Sequence, residues 1–400
     1  MSAILEQRHD LGAFRNALRQ WLQQALPVDW RSRMLRATPQ AFLQFQRDWL
    51  LQLDAVGLAA PHWPSQWGGE DLSVRQQCVI YEELARADAP SPQLYCVSLY
   101  HLPATLFAAG TPAQIERYLP GVHRGEVWCQ GFSEPNAGSD LASLRTRAER
   151  VGDRYIVNGQ KIWSSFSHIA DWCLLLARTD IHAPKHRGIS YFILDMKSPG
   201  VTVRPIRQST GEEEFGEVFL DNVEIPAENL IGAENDGWNV AQATLGAERG
   251  LLIFECAERA QLFFERMLEE HRSGGSRWLD DDQQRREFMQ YYAELQAVRA
   301  MIRDMLGEVE RSGHTGVLAS YLKLHYSDLV QRFTDLVLRI RGLDGQLLSC
   351  GIRESSNLTG HPMFDHISTW GLTISGGSNE ILRNIIAERI LGLPREPKAA

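Results

Sequence analysis

The apolar residues of this 400-residue chain change their spacing twice, and that change constrains the fold more than any single motif does. Through about residue 125 they recur every three or four positions. "QAFLQFQRDWLLQLDAVGL" and "SVRQQCVIYEELARAD" each gather their apolar residues on one helical face. Between them lies "AAPHWPSQWGGEDLS", a Pro- and Gly-punctuated loop that ends in an Asp/Ser helix start. From about Glu126 the pattern becomes short β-branched or aromatic runs separated by turn residues: "RYIVNGQKIWSSF", "DWCLLLART", "GISYFILDM", "GVTVRPI" and "GEVFLDNVEI". These predict strands. Asn158–Gly159, between "YIV" and "QKIW", predicts a two-residue hairpin turn. After "NDGW" the helical spacing returns and persists to "RILGLP". The reading is therefore a mostly α protein with a central β-domain: a helical domain over 1–125, a β-domain over 126–235 and a helical region over 236–400. More than one core is expected for this length.

Composition narrows the function classes. The chain is 44% hydrophobic and 23% charged, ordinary for a globular protein, and its net charge of −9 argues against nucleic acid or an anionic membrane as a general partner. The first residues, "MSAILEQRHDLGAFRNALRQWLQQALP", read as an amphipathic helix and lack the apolar core of a signal peptide. No run is long enough to span a bilayer, so a cytoplasmic location is expected. The six cysteines are widely spaced without a CxxC pair, which predicts free thiols. No HExxH or similar helical ligand pair occurs among the 12 histidines, which disfavours a metal enzyme.

Two stretches carry the chemistry. "FSEPNAGSD", Phe132 to Asp140, is a loop of small residues whose backbone N–H groups and hydroxyls are free to face an anion or a polar ring edge. A plain surface turn would look the same. Trp163, followed by Ser164 and Ser165, sits near the end of a predicted strand. An indole there can stack on a flat heterocycle while the hydroxyls bond its edge, or it can fill the sheet core.

Together, "WCQGFSEPNAGSDLASLRTRA", "NGQKIWSS" and "GGSNEILRNIIAERILGLP" resemble the acyl-CoA dehydrogenases over nearly the whole chain. The resemblance implies an N-terminal helical domain, a β-barrel-like middle domain and a C-terminal four-helix bundle. It also implies an FAD site without a GxGxxG motif. By that resemblance Gly131, Phe132 and Ser133 lie against the isoalloxazine, and Gly138 and Ser139 run toward cofactor and thioester. Trp163 covers the flavin, with Ser164 beside it and Ser165 near the reactive edge. Ser133 and Ser165 stand where the family usually has Thr; either hydroxyl donates a hydrogen bond. Glu380 matches a position that contacts FAD from the partner subunit, with Ser378 in the same "GGSNE" stretch. Arg272 is the nearest candidate for the family's cross-subunit arginine, without its usual Phe-Gly context. The interface loop is altered to "RGLDGQ", Arg341 to Gln346.

The implied reaction is α,β-dehydrogenation of an acyl-CoA, with a carboxylate removing the α-proton. Many members carry that carboxylate just before the C-terminal Gly-Thr, where this chain has Gly376 in "TISGGSNEI". A branch that includes isovaleryl-type enzymes takes its base from a Glu-Arg step after the β-domain, and "LGAERG" matches it. Glu248 falls on one helical stripe with Ala241, Leu245, Leu252 and Cys256. A carboxylate there is expected to lose solvent and gain basicity. The plainer alternative is a buried Glu neutralised by an Arg from another helix. By resemblance Leu245 and Ser139 face substrate and Arg249 helps hold CoA. The expected partners are an acyl-CoA, an electron-transfer flavoprotein or similar acceptor, and further subunits, as a homodimer, homotetramer or heterotetramer with a related chain. Two other readings stay open: a partner subunit in a mixed complex, and a flavin oxidase or monooxygenase on the same scaffold.

Overall fold

A computed structural model describes residues 2–35, 37–247, 251–275, 277–313, 316–348 and 358–395. The chain packs as two compact units. One contains residues 37–71 and 91–248, the other residues 3–36, 72–90 and 249–400.

In the first unit, eight strands form one sheet: β1 Trp128–Gly131, β2 Arg147–Val151, β3 Arg154–Ser165, β4 Trp172–Arg178, β5 Ile189–Asp195, β6 Val201–Ile206, β7 Phe215–Pro226 and β8 Leu230–Ile231. Their order is β6-β7-β3-β2-β4-β5-β8, with β1 running parallel beside β4. Strands β4 and β5 are buried along nearly their whole length, which is why "CLLLA" reads as an unbroken apolar run and "ISYFIL" is interrupted only by the hydrogen-bonded Ser190. The five expected runs are all strands; β1, β2 and β8 add to them.

The hairpin expected at Asn158–Gly159 is not there. Strand β3 runs straight through both residues with a bulge against β7, and the turn lies at Gly152–Asp153, where Val151 pairs with Arg154. Gly159 has a different purpose. A Cβ there would lie 2.4 Å from the Thr146 hydroxyl, so glycine permits close passage of the chain entering β2.

The helix Pro39–Ala55 starts on a Thr38 cap with Pro39 in its first turn. Helices Leu102–Ala109, Pro112–His123 and Gly237–Ala247 complete the first unit. Gly237 is required by contact: a Cβ would meet the Ser190 carbonyl carbon at 2.5 Å, because this helix begins against the backbone of β5.

In the second unit, Leu11–Ala25 is capped by Asp10, which accepts from the N–H groups of Gly12 and Ala13, and it buries Phe14, Leu18 and Leu22 one turn apart. Val74–Arg86 begins with a Ser73–Gln76 capping box. The long helices Leu251–Arg272, Asp282–Ser312 and Leu318–Arg341 meet through Phe264, Phe288 and Phe333, with Phe264 stacked on Phe333. Charged side chains inside this bundle are paired: Arg299 forks onto Glu258, and Glu255 accepts from Arg259 at 2.9 Å. Among the described residues no helix is long and apolar enough to cross a membrane.

Candidate active site

The two stretches singled out in the sequence are joined by backbone. Gly131 closes β1, and Phe132 follows it into the interior, where its ring meets the edge of Tyr191 at 5.6 Å. The chain then turns back on itself, Glu134 and Ala137 exchanging both backbone hydrogen bonds around Pro135–Asn136. Ser133 is half-buried; Gly138 and Ser139 are exposed. The Ser133 carbonyl accepts from the Ile162 N–H at 2.9 Å, which fixes the loop beside Trp163.

Trp163 is 56% exposed, so it does not fill the sheet core. Residues of β3 with inward side chains run Tyr155, Val157, Lys161 and then Ser164. The parity switches at a bulge between Lys161 and Ser164, and the bulge turns Trp163 outward with φ at +61°. A bulky residue in the left-handed region costs on the order of 1–2 kcal/mol, and such strain gathers at functional positions. Ser164 is consequently buried with its hydroxyl unpartnered, whereas Ser165 is half-buried. An outward indole, the half-buried Ser133 and Ser165, and Gly138, where a Cβ would meet no protein atom within 4 Å, fit a flat ring with a polar edge.

Two residues that the sequence reading passed over hold this arrangement. Lys161 is 0% exposed, and its ammonium donates to the Phe132 carbonyl at 3.1 Å and to Glu134 at 2.9 Å. The Glu134 carboxylate also accepts from the N–H groups of Arg145 and Thr146 at 2.7 and 2.8 Å. Burial pushes the Glu134 carboxyl upward, but the Lys161 charge and these hydrogen bonds hold it below its ordinary range. Burial draws the Lys161 ammonium down, and Glu134 opposes that. The available signal was position: Lys161 shares the inward parity of Tyr155 and Val157, and a lysine on a buried strand face requires a partner.

The remaining candidates are placed as follows. Leu245 is half-buried in Gly237–Ala247, beside the fully buried Thr244; Ala241 is buried one turn earlier. Glu248 and Arg249 lie outside the described residues. In the second unit Arg272 ends its helix, exposed. Ser378 caps Asn379–Ile385, and Glu380 is exposed in its first turn, 3.5 Å from Arg383. Gly376 and Gly377 have φ of +62° and +93°. Asn379, another residue missed in the sequence, is buried and accepts from Lys323, donates to Asp328 and exchanges hydrogen bonds with Ser327; Lys323 also holds the Gly377 carbonyl. Arg341, which opens the "RGLDGQ" stretch, is engaged by Glu270.

Comparison with known proteins identifies the family. Residues 9–126, 129–223 and 235–391 match the N-terminal, middle and C-terminal domains of acyl-CoA dehydrogenases. The acyl-CoA dehydrogenase IpdE1 of Mycobacterium tuberculosis is 39% identical, over 97% of this chain and 99% of that protein. The solved structure described as the Tcur3481-Tcur3483 steroid ACAD superposes with a TM-score of 0.83 at 30% identity, covering 96% of this chain and 98% of that one. The ChsE4-ChsE5 complex from Mycobacterium tuberculosis gives 0.79 at 28% identity, with 98% of each chain covered. The chain belongs to the acyl-CoA dehydrogenase family and is an FAD-dependent oxidoreductase.

Proposed function

We propose that the chain removes the α-proton of an acyl-CoA through Glu248 and yields the trans-2-enoyl thioester. Bound FAD supplies a hydride acceptor for the β-hydrogen. The observation that carries this reading is the join between Ser133 and Ile162, which sets an outward indole on a strained bulge beside a loop of hydroxyls and small residues. In that reading Trp163 stacks on the ring system. Gly131, Phe132 and Ser133 line it, with Ser164 contributing backbone and Ser165 a hydroxyl. Gly138 and Ser139 lead toward the thioester, and Leu245 and Arg249 serve the acyl and CoA ends. Arg272, Ser378 and Glu380 act across a subunit contact.

The α-proton of a thioester is weakly acidic, so the base must be poorly solvated to take it. The "ATLGAERGLLIFE" stretch keeps apolar residues around Glu248. Gly376, in place of a side-chain base, removes bulk from the family's other base position. Likeness to a structure titled a steroid ACAD supports a cyclic, steroid-type acyl group over a straight chain.

A related chain as partner subunit is favoured by the likeness to the ChsE4-ChsE5 complex and by the altered "RGLDGQ" loop. Electron-transfer flavoprotein or a similar acceptor is the expected oxidant. Under this reading the three domains divide near residues 125 and 235.

The test is anaerobic bleaching of the purified yellow protein with a panel of thioesters, straight, branched, monocyclic and steroid-type, with the enoyl product identified by mass. Bleaching by the steroid-type member is the predicted result. No bleaching by any thioester, alone or with a co-expressed related chain, contradicts the reading.

A further inference from the structure

Three buried hydroxyls form a chain that the proposed chemistry has not used. Thr105 donates to the His101 carbonyl at 2.6 Å. Its hydrogen being committed there, the 2.6 Å contact between Thr105 and Thr244 must be a donation from Thr244. The Thr244 oxygen is then left to accept from Tyr191, 3.1 Å away. The direction is therefore fixed from Tyr191 through Thr244 and Thr105 to His101. Thr105, Tyr191 and Thr244 are each 0% exposed. A hydroxyl in such surroundings keeps its partners, because losing one leaves a buried polar atom unsatisfied.

The chain connects the two halves of the site. The ring of Tyr191 carries the edge contact with Phe132 at the flavin loop. Thr244 sits in the last turn of Gly237–Ala247, four residues before Glu248 and next to Leu245. That helix is also fixed at its start, where Gly237 abuts the backbone of Ser190 and Tyr191. Two anchor points, seven residues or roughly 10 Å apart along the axis, define both its roll and its advance along β5. Val at position 244 would fill the same space and leave the roll unpinned.

We propose that Thr244 is a positioning residue: held by Tyr191 and Thr105, it sets the register of the helix leading into Glu248 relative to the Phe132 loop. This rests on the reading of Glu248 as the base. The helix end need not move far to matter, since proton removal is steeply sensitive to placement at the ångström level.

The experiment compares Thr244→Val, Thr244→Ser and Tyr191→Phe as full-length holoenzymes. It measures flavin content, the thermal midpoint after FAD removal, and the rate constant and KM for anaerobic flavin reduction with α-protio and α-deuterio thioester. The expected result is full flavin content with reduction about tenfold or more slower in Thr244→Val and Tyr191→Phe. KM should stay within about twofold, the α-deuterium isotope effect should rise, and Thr244→Ser should return to within about twofold of the parent. Normal reduction in Thr244→Val, or a Thr244→Ser enzyme as slow as the valine variant, overturns the proposal. Should Thr244→Val fail to fold, Tyr191→Phe decides alone: slow reduction with full flavin supports it, normal reduction overturns it. Glu248→Gln run in parallel separates the two claims. If that variant reduces normally, the base is wrong; if it is inert while Thr244→Val is normal, only the positioning role is wrong.

Discussion

Replacing Lys161 by Met removes the cation from a buried pair and leaves Glu134 charged within the Phe132–Asp140 loop. Breaking such a pair from one side typically costs about 3–5 kcal/mol. Glu134 keeps its two backbone donors from Arg145 and Thr146, which places the loss near the lower end of that range. A loss of about 3 kcal/mol corresponds to a fall of roughly 6–12 °C in the thermal midpoint for a unit of this size. The pH dependence follows from the same geometry. With Lys161 present, the Glu134 carboxyl lies below its unfolded value, so the stability it contributes is present above that value and is lost as pH falls. In the variant the Lys161 charge is gone and only the two backbone donors oppose burial, so the carboxyl moves up from its parental value and the folded variant loses ground to the parent as pH rises through about 4. The gap between parent and variant should therefore be wider at pH 8 than at pH 5. Adding Glu134→Gln to Lys161→Met should recover at least half of the loss, since no charge is then left unpaired. The assay is thermal unfolding of the FAD-free proteins across that pH range. A midpoint within 2 °C of the parent, as a rough threshold, or a double variant whose loss is the sum of the single losses, refutes the pairing.

Two further outcomes follow from single residues. Trp163→Ala should weaken FAD retention at least tenfold, while the thermal midpoint of the FAD-free protein stays nearly unchanged, because the exposed indole supports no core; equilibrium dialysis and calorimetry check both halves. Asp365 is 2% exposed, and burial, opposed by hydrogen bonds from Thr359 and Gly360, raises its carboxyl to about 7. Its folded value lies above its unfolded one near 4, so the stability it contributes is fully present below about pH 4 and is lost as pH rises toward 7. Asp365→Asn should remove that slope, as followed by urea unfolding from pH 4 to 8.

Much of the fold was legible from spacing because strands β3, β4, β5 and β7 each bury a face or both faces, and their composition reports it. Asn158–Gly159 misled because the pair has turn chemistry, while the need for glycine comes from Thr146, a neighbour thirteen residues away in sequence. The site was half legible. The loop and Trp163 announce themselves by residue type, but whether the indole faces core or solvent depends on the register of β3 against β7, which is non-local. Lys161, Glu134, Thr244 and Asn379 were missed for one reason: each acts through a partner 27 or more residues distant. Glu248 is readable only from its Glu-Arg step and its apolar surroundings.

The central claim is that Glu248 takes the α-proton, and stopped-flow reduction of Glu248→Gln by the thioester that bleaches the parent tests it most directly. The predicted result is a normal flavin spectrum and normal ligand-induced spectral shift, with reduction slower by a factor of about 10³ or more, in the range expected for loss of a general base. Reduction of the Glu248→Gln flavin at the parental rate would contradict the account.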